Sequence, residues 1–90
     1  MSTTPHTSTL AAAAVGTALL ITGVRAPATS PEWAQSLDEL GFVAGERVQL
    51  MARGFPGGDP LVVRVGTSTY ALRGAEAACV MVEPMTGEAA

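Results

Sequence analysis

The chain of 90 residues is long enough for one small domain, and its hydrophobic fraction of 48% is too high for a disordered protein. Its formal net charge is −3, and its five cations are all arginines, scattered along the sequence among eight acidic residues. This balance excludes a nucleic-acid binder, which needs a basic face to release counterions from phosphates, and the single Cys79 excludes an internal disulfide and suits a reducing compartment.

The N-terminal third begins with a polar stretch, residues 1–9, which predicts a flexible tail. An uncharged run of fifteen residues, 10–24, follows it. A membrane-spanning helix needs about 20 apolar residues, and a signal peptide needs a basic region before its apolar core. The run of fifteen residues is too short for a membrane-spanning helix. Residues 1–9 contain no Lys or Arg, so the basic region of a signal peptide is missing. Its β-branched residues and glycines therefore favour a buried strand over residues 17–24 rather than a membrane or export segment.

A short helix is predicted over residues 31–40. Ser30 offers a hydroxyl N-cap and Pro31 fits the first helical position. Three apolar residues have the spacing of one helix face: Trp33, Leu37 and Leu40. Gly41 suits the left-handed position after the last turn, so the helix is expected to end there.

Four more strands are predicted, at about residues 47–53, 61–65, 69–73 and 78–83. Alternation places one set of side chains inward: Val48, Leu50, Ala52, Leu61, Val63, Val65, Tyr70, Leu72, Ala78, Val80 and Val82. The residues predicted at the centre of the core are Leu50, Val63, Leu72 and Val80. Met51, Arg53 and Cys79 are expected to face outward. Five short strands and one helix favour a mainly β fold, a small partly open barrel, because closure removes exposed sheet edges.

The order of short motifs from residue 37 to residue 82 resembles the ferrous iron transport protein A (FeoA) family. The residues that carry the resemblance are Leu40, Gly41, Gly45, Gly58, Asp59, Pro60, Ala71, Leu72 and Glu76. The resemblance implies an SH3-like barrel over residues 10–83, with flexible tails at 1–9 and 84–90. In the Gly58-Asp59-Pro60 turn, Pro60 suits the start of a strand, and Asp59 is expected to accept a hydrogen bond from nearby backbone.

The resemblance also implies a function. Members of this family are small cytoplasmic companions of a membrane ferrous iron transporter, so the expected role is regulatory binding to the transporter's cytoplasmic GTPase region. Membrane association would then be indirect, through that partner. The alternative is an SH3-like regulatory domain related to those of iron-dependent transcriptional repressors. A third class, a small metal-delivery protein, is disfavoured because the sequence offers no cluster of metal ligands.

Residues for chemistry are sparse, so no enzymatic activity, no cofactor and no metal site are predicted. The one histidine, His6, falls in the predicted tail and Cys79 is alone, whereas soft-metal sites and nucleophile–base pairs need several such groups in a rigid arrangement. No phosphate-binding Gly-x-x-x-x-Gly-Lys loop is present in the sequence.

A partner-binding surface is predicted around the loop after residue 53. Phe55 lies between Gly54 and Pro56, where burial is difficult, and an exposed aromatic near arginine has the chemistry of an interface anchor. The predicted contact residues are Met51, Arg53, Phe55 and Arg73. For Arg73 a bridge to Glu76 is the structural alternative, and for Phe55 it is a position that caps the open end of the barrel.

Overall fold

Residues 8–85, which the computed structural model describes, form one antiparallel sheet of six strands in the order β1-β6-β2-β3-β4-β5. The strands are β1 (Ser8–Thr9), β2 (Ala18–Val24), β3 (Arg47–Arg53), β4 (Leu61–Val65), β5 (Ser68–Leu72) and β6 (Val80–Pro84). A single 3-10 turn, Leu10–Ala12, precedes β2. The mainly β fold expected from the alternating patterns is confirmed.

Two α-helices connect the strands within the described residues. Helix α1 (Glu32–Leu40) follows β2, and the one-turn helix α2 (Gly74–Ala77) joins β5 to β6. Gly41 ends α1 with φ +109°, in the left-handed region that favours glycine, as predicted. The predicted hydroxyl cap is wrong: Pro31 takes the N-cap position of α1 without a side-chain bond, and Ser30 accepts from the Trp33 N–H through its backbone carbonyl.

The core lies between the inner faces of the strands and the underside of α1. Its buried residues are Leu10, Leu19, Ile21, Leu37, Phe42, Val48, Leu50, Leu61, Val63, Val65, Leu72, Ala77, Cys79, Val80 and Val82. The four residues predicted at its centre are each at most 3% exposed. Strand β2 begins within one residue of the predicted start, and none of the helices in residues 8–85 is long and apolar enough to cross a membrane.

A β-bulge in β3 overturns part of the predicted facing. Leu50 is paired with Val63, but Ala52 is paired with Val62, so Met51 is an extra residue with no partner of its own. The alternation therefore shifts by one after Leu50. Ala52, predicted inward, is exposed. Arg53, predicted on the same outer face as Met51, is instead paired with the buried Leu61.

A second shift occurs where the last strand begins. The helical turn of α2 continues through Ala78, whose φ and ψ are −68° and −14°, so β6 starts only at Val80. Ala78 was predicted inward and is exposed, whereas Cys79 was predicted outward and is only 4% exposed. Residues 74–77, which the prediction left between two strands, form the helix α2.

Strand β1 was not predicted and makes six strands instead of five. Ser8 and Thr9, placed in the N-terminal tail by their polarity, pair with Val82 and Met81 of β6. Pro84, placed in the C-terminal tail, belongs to β6. The remainder of the two predicted tails lies outside the described residues, apart from Met85.

Candidate partner-binding surface

The loop that follows β3, residues 54–60, is closed tightly at its base. The Gly54 N–H donates to the Pro60 carbonyl at 2.7 Å, and the Gly58 N–H donates to the Gly54 carbonyl at 2.9 Å. A Cβ atom on Gly54 would lie 2.6 Å from the Asp59 carbonyl oxygen, closer than any side chain can approach. Glycine at position 54 therefore allows the two arms of the loop to meet.

Phe55 projects from this loop into solvent. Its side chain is 94% exposed, the highest value among the large hydrophobic side chains of residues 8–85. The tight base next to it leaves the ring outside the barrel, so Phe55 does not cap the barrel's open end. An aromatic ring held away from its own core can bury its area only against another molecule.

Asp59 ties the same loop to the start of α2. Its Oδ1 accepts from the Gly74 N–H at 2.9 Å. A Cβ on Gly74 would lie 3.0 Å from Asp59 Oδ2, so the carboxylate packs closely over a glycine. The predicted acceptor role of Asp59 is right, but its donor is fifteen residues away in sequence.

Arg73 lies beside this tie, immediately before α2. Its backbone N–H donates to Glu76 Oε1 at 2.9 Å, and the Glu76 N–H donates to the Arg73 carbonyl at 2.9 Å. The Arg73 backbone, and not the side-chain bridge given as the structural alternative, thus links Arg73 to Glu76. Its side chain is exposed near the base of the Phe55 loop.

Arg53 holds the segment before β2 onto β3. Its Nη2 donates to the carbonyl oxygens of Ala11, at 2.7 Å, and Ala13, at 2.9 Å. The bulge at Met51 makes this geometry available because it turns Arg53 toward the side of the sheet on which that segment lies. Alternation alone had placed Arg53 on the opposite side.

Two more exposed apolar side chains flank β3. Met51 is 41% exposed at the bulge, and Val15 is 55% exposed in the segment before β2. The Gly16 N–H donates to the Leu50 carbonyl at 2.8 Å. This hydrogen bond brings the backbone of Val15 next to that of Met51. Val15, Met51 and Phe55 are three of the four exposed large apolar side chains in residues 8–85. Met51 and Phe55 were predicted as contacts, and Val15 was not.

Four of the five arginines lie in strands β3–β5 or directly after them. They are Arg47, Arg53, Arg64 and Arg73. The arginines are therefore not scattered over the structure, as their spread along the sequence had led us to expect. A surface depression of about 450 Å³ contains two of them, and the residues lining it are Ala18, Arg47, Val48, Gln49, Arg64 and Gly66. Neither Arg47 nor Arg64 was predicted as a site residue. The available signal was the run of sequence from residue 47 to residue 73, which contains four arginines and one acid.

The remaining motif residues lie around this surface and the core. Leu72 is buried and Ala71 lies on the outer face of β5, while Leu40 is 38% exposed at the end of α1. Gly45 and Gly58 have φ values of +94° and +84°, both in the left-handed region. The peptide bond before Pro60 is cis.

Cys79 and the acidic residues make no reactive or metal-binding arrangement in the described part of the chain. Burial, and secondarily the charge of Glu76, raises the pKa of the Cys79 thiol, which donates to the Ala75 carbonyl at 3.5 Å. Residues 8–85 contain no group of three His, Cys, Asp or Glu side chains that could hold a metal ion. His6 lies outside the described residues.

The fold and its surface define a small SH3-like domain, and sequence comparison gives its family. FeoA from Stenotrophomonas maltophilia, crystallised with zinc and described as a prokaryotic SH3 domain protein, is 40% identical, with a TM-score of 0.75 over 82% of this chain and 87% of that one. The FeoA domain family matches residues 8–84. The chain belongs to the FeoA domain family.

Other solved structures extend this likeness. Iron(II) transport protein A from Clostridium thermocellum is 29% identical, with a TM-score of 0.72 over 88% of this chain and 46% of that one. A manganese-dependent transcriptional repressor is 20% identical, with a TM-score of 0.75 over 92% of this chain and 44% of that one, which establishes a shared fold alone. No curated protein sequence matches the chain.

Proposed function

We propose that this protein is a cytoplasmic accessory protein of ferrous iron uptake that regulates the iron transporter by binding its cytoplasmic GTPase region. Membership of the FeoA family supports the link to iron uptake, because the relative from S. maltophilia is described as a candidate ferrous iron transport activating factor. The role is one of binding and regulation, and it requires no catalytic residue or cofactor.

The observation that carries the proposal is the exposure of Phe55 on a loop that is tied at its base. Burying a phenylalanine side chain stabilises a complex by about 1.5–3 kcal/mol through removal of apolar surface from water. The hydrogen bond between Gly54 and Pro60 already fixes the base of the loop. Binding therefore has to immobilise few additional rotatable bonds, and its cost in conformational entropy is small. A protein therefore gains from keeping this ring exposed only if a partner covers it.

The surroundings of Phe55 suit a protein surface. Met51 is an exposed apolar side chain four residues earlier on β3, and the exposed Arg73 follows Leu72, which is paired with Leu61 at the end of the loop. Aromatic residues, methionine and arginine are enriched in the buried centres of protein–protein interfaces. These three side chains come from β3, the loop and the end of β5, so a rigid sheet positions all of them.

The direct test is binding to the GTPase region of the ferrous iron transporter from the same organism. That region is titrated with this protein by calorimetry in the nucleotide-free, GDP-bound and GTP-analogue-bound states. The proposal expects saturable binding that differs between nucleotide states, because a regulator must prefer one state to shift its population. An unrelated GTPase domain is the control. Absence of binding in all three states would contradict the proposal.

A further inference from the structure

Charge is divided unevenly between two parts of the molecule. Residues 47–73, which form β3–β5 and their connections, contain four arginines and one carboxylate, a net charge of +3. The rest of the chain contains one arginine and seven carboxylates. The single carboxylate of the positive part, Asp59, already accepts a hydrogen bond from the Gly74 N–H. Of these four arginines, Arg53 is turned to the other side of the sheet, where it donates to the Ala11 and Ala13 carbonyls, so the cations within the strands on the outer face of β3–β5 are Arg47 and Arg64.

The strand register arranges the outer face of this region in rows. One row crosses the three strands through Gln49, Arg64 and Thr69, which are paired in that order. The next row consists of Ala52, Val62 and Ala71. The first row is polar and cationic, whereas the second is apolar and lies nearer the Phe55 loop. The face therefore changes from charged to apolar along the strands.

Arg47 completes the cationic end of this face. It lies two residues from Gln49 on β3, with the buried Val48 between them, so Arg47 and Gln49 share the outer side of the strand. Because Gln49 is opposite Arg64, the two arginines occupy diagonal positions on neighbouring strands, close enough to act on one ligand. Both are exposed and both line the 450 Å³ depression, whose lining contains no carboxylate among residues 8–85.

We propose that the outer face of β3–β5 is a docking surface for an acidic segment of the protein partner, with Arg47 and Arg64 forming a subsite for its carboxylates. The inference rests on the proposed function for the identity of the partner. Each guanidinium offers a planar fork of N–H donors that matches a carboxylate. Gln49 adds a neutral polar neighbour, although its Nε2 already donates to the Gly16 carbonyl at 2.7 Å.

The occupant follows from charge and from the order of the rows. Acidic side chains fit the end with Arg47 and Arg64, and apolar side chains of the same segment fit the row of Ala52, Val62 and Ala71. The exposed Phe55 lies beyond that row, on the loop that joins β3 to β4. A segment lying along the strands would thus place its acidic end over the depression and its apolar end toward the loop.

The test compares two single variants that change the net charge equally. Arg64→Glu reverses a charge in the depression, whereas Arg25→Glu reverses one that lies after β2 and away from this face. Arg64 is exposed, so the variant is expected to melt like the parent. We expect Arg64→Glu to bind the transporter's GTPase region about tenfold more weakly or worse, and Arg25→Glu to bind like the parent. The difference should shrink as salt is raised toward 1 M.

Equal binding by the parent and Arg64→Glu would overturn the subsite while leaving the proposed function standing. If the parent does not bind the GTPase region at all, the proposed function fails and a peptide decides this inference. NMR titration with a short synthetic peptide that carries Glu residues at one end and Leu residues at the other should then shift the backbone signals of Arg47, Gln49 and Arg64. Its Gln-for-Glu counterpart should not, and no shift with either peptide would overturn the inference.

A last experiment distinguishes carboxylates from phosphates as the groups that the depression binds. Duplex DNA or phosphatidylglycerol vesicles that bind as tightly as the acidic protein segment, in a manner abolished by Arg64→Glu, would assign the depression to phosphate and overturn the proposal. If Arg64→Glu does not fold, Arg64→Gln serves as the variant. In that case a loss of salt dependence relative to the parent supports the subsite, and an unchanged salt dependence contradicts it.

Discussion

Truncation of Leu72 tests the assignment of the core quantitatively. Leu72 is 3% exposed and is paired with Leu61 on β4, which is 2% exposed. Leu72→Ala removes buried methyl groups and leaves a cavity in the core beside Leu61, which costs about 2–5 kcal/mol of unfolding free energy. A domain of this size has about 5–13 kcal/mol in total, at about 0.05–0.15 kcal/mol per residue. The variant is therefore expected to lose a substantial part of its stability.

The assay is urea denaturation, monitored through the fluorescence of Trp33. This single tryptophan is half-buried and packs against the core. Leu40→Ala is the matched control, because it makes the same change at a position that is 38% exposed on α1. The control should lose clearly less stability than Leu72→Ala, since part of the Leu40 side chain is already exposed and alanine favours helix. A Leu72→Ala protein that unfolds at the parental urea concentration would refute the assignment of this face to the core.

Three further predictions concern the contacts around the surface. Asp59→Ala should lower the unfolding free energy by about 1 kcal/mol, because the Gly74 N–H loses its acceptor, whereas Asp59→Asn keeps an oxygen there; melting curves compare them. Arg53→Ala should speed hydrogen exchange at the Gly16 amide, because the segment before β2 loses two hydrogen bonds from the guanidinium; unchanged exchange would count against that role. Because burial raises the pKa of Cys79, the folded state holds the thiol proton more tightly than the unfolded chain. The contribution of this group to stability is therefore fully present below the unfolded pKa and is lost as the pH rises above about 8.5. Cys79→Ala should remove that part of the decline, measured by urea denaturation at several pH values.

Side-chain alternation predicted most strands because each strand buries one face. In β4, the buried Leu61, Val63 and Val65 alternate with residues that are exposed or half-buried, and no partner information is needed to read that pattern. The helix end at Gly41 was equally local, since a left-handed residue after a helix favours glycine.

The wrong predictions of which side chains face inward arose where contact with a neighbouring element sets the inward and outward alternation. The bulge at Met51 depends on the register between β3 and β4, which the β3 sequence does not encode. Strand β1 has only two polar residues, and it exists because β6 offers a free edge for pairing. Ala78 and Cys79 changed places because the turn of α2 runs one residue further than an alternating strand allows.

The candidate surface was predictable only in part for the same reason. The Gly and Pro residues that flank Phe55 indicated an exposed aromatic, which the structure has at 94% exposure. The depression between Arg47 and Arg64 required the pairing of Gln49 with Arg64, a contact between strands. The hydrogen bond from Gly74 to Asp59 likewise joins two distant loops.

The measurement that tests the central claim most directly is the affinity of Phe55→Ala for the transporter's GTPase region. Calorimetry should show binding weakened by about 1 kcal/mol or more, with the melting temperature close to that of the parent, because the ring is exposed in the free protein. Leu40→Ala, which shortens an exposed apolar side chain on α1, should bind like the parent. Parental affinity in a well-folded Phe55→Ala protein would contradict the account.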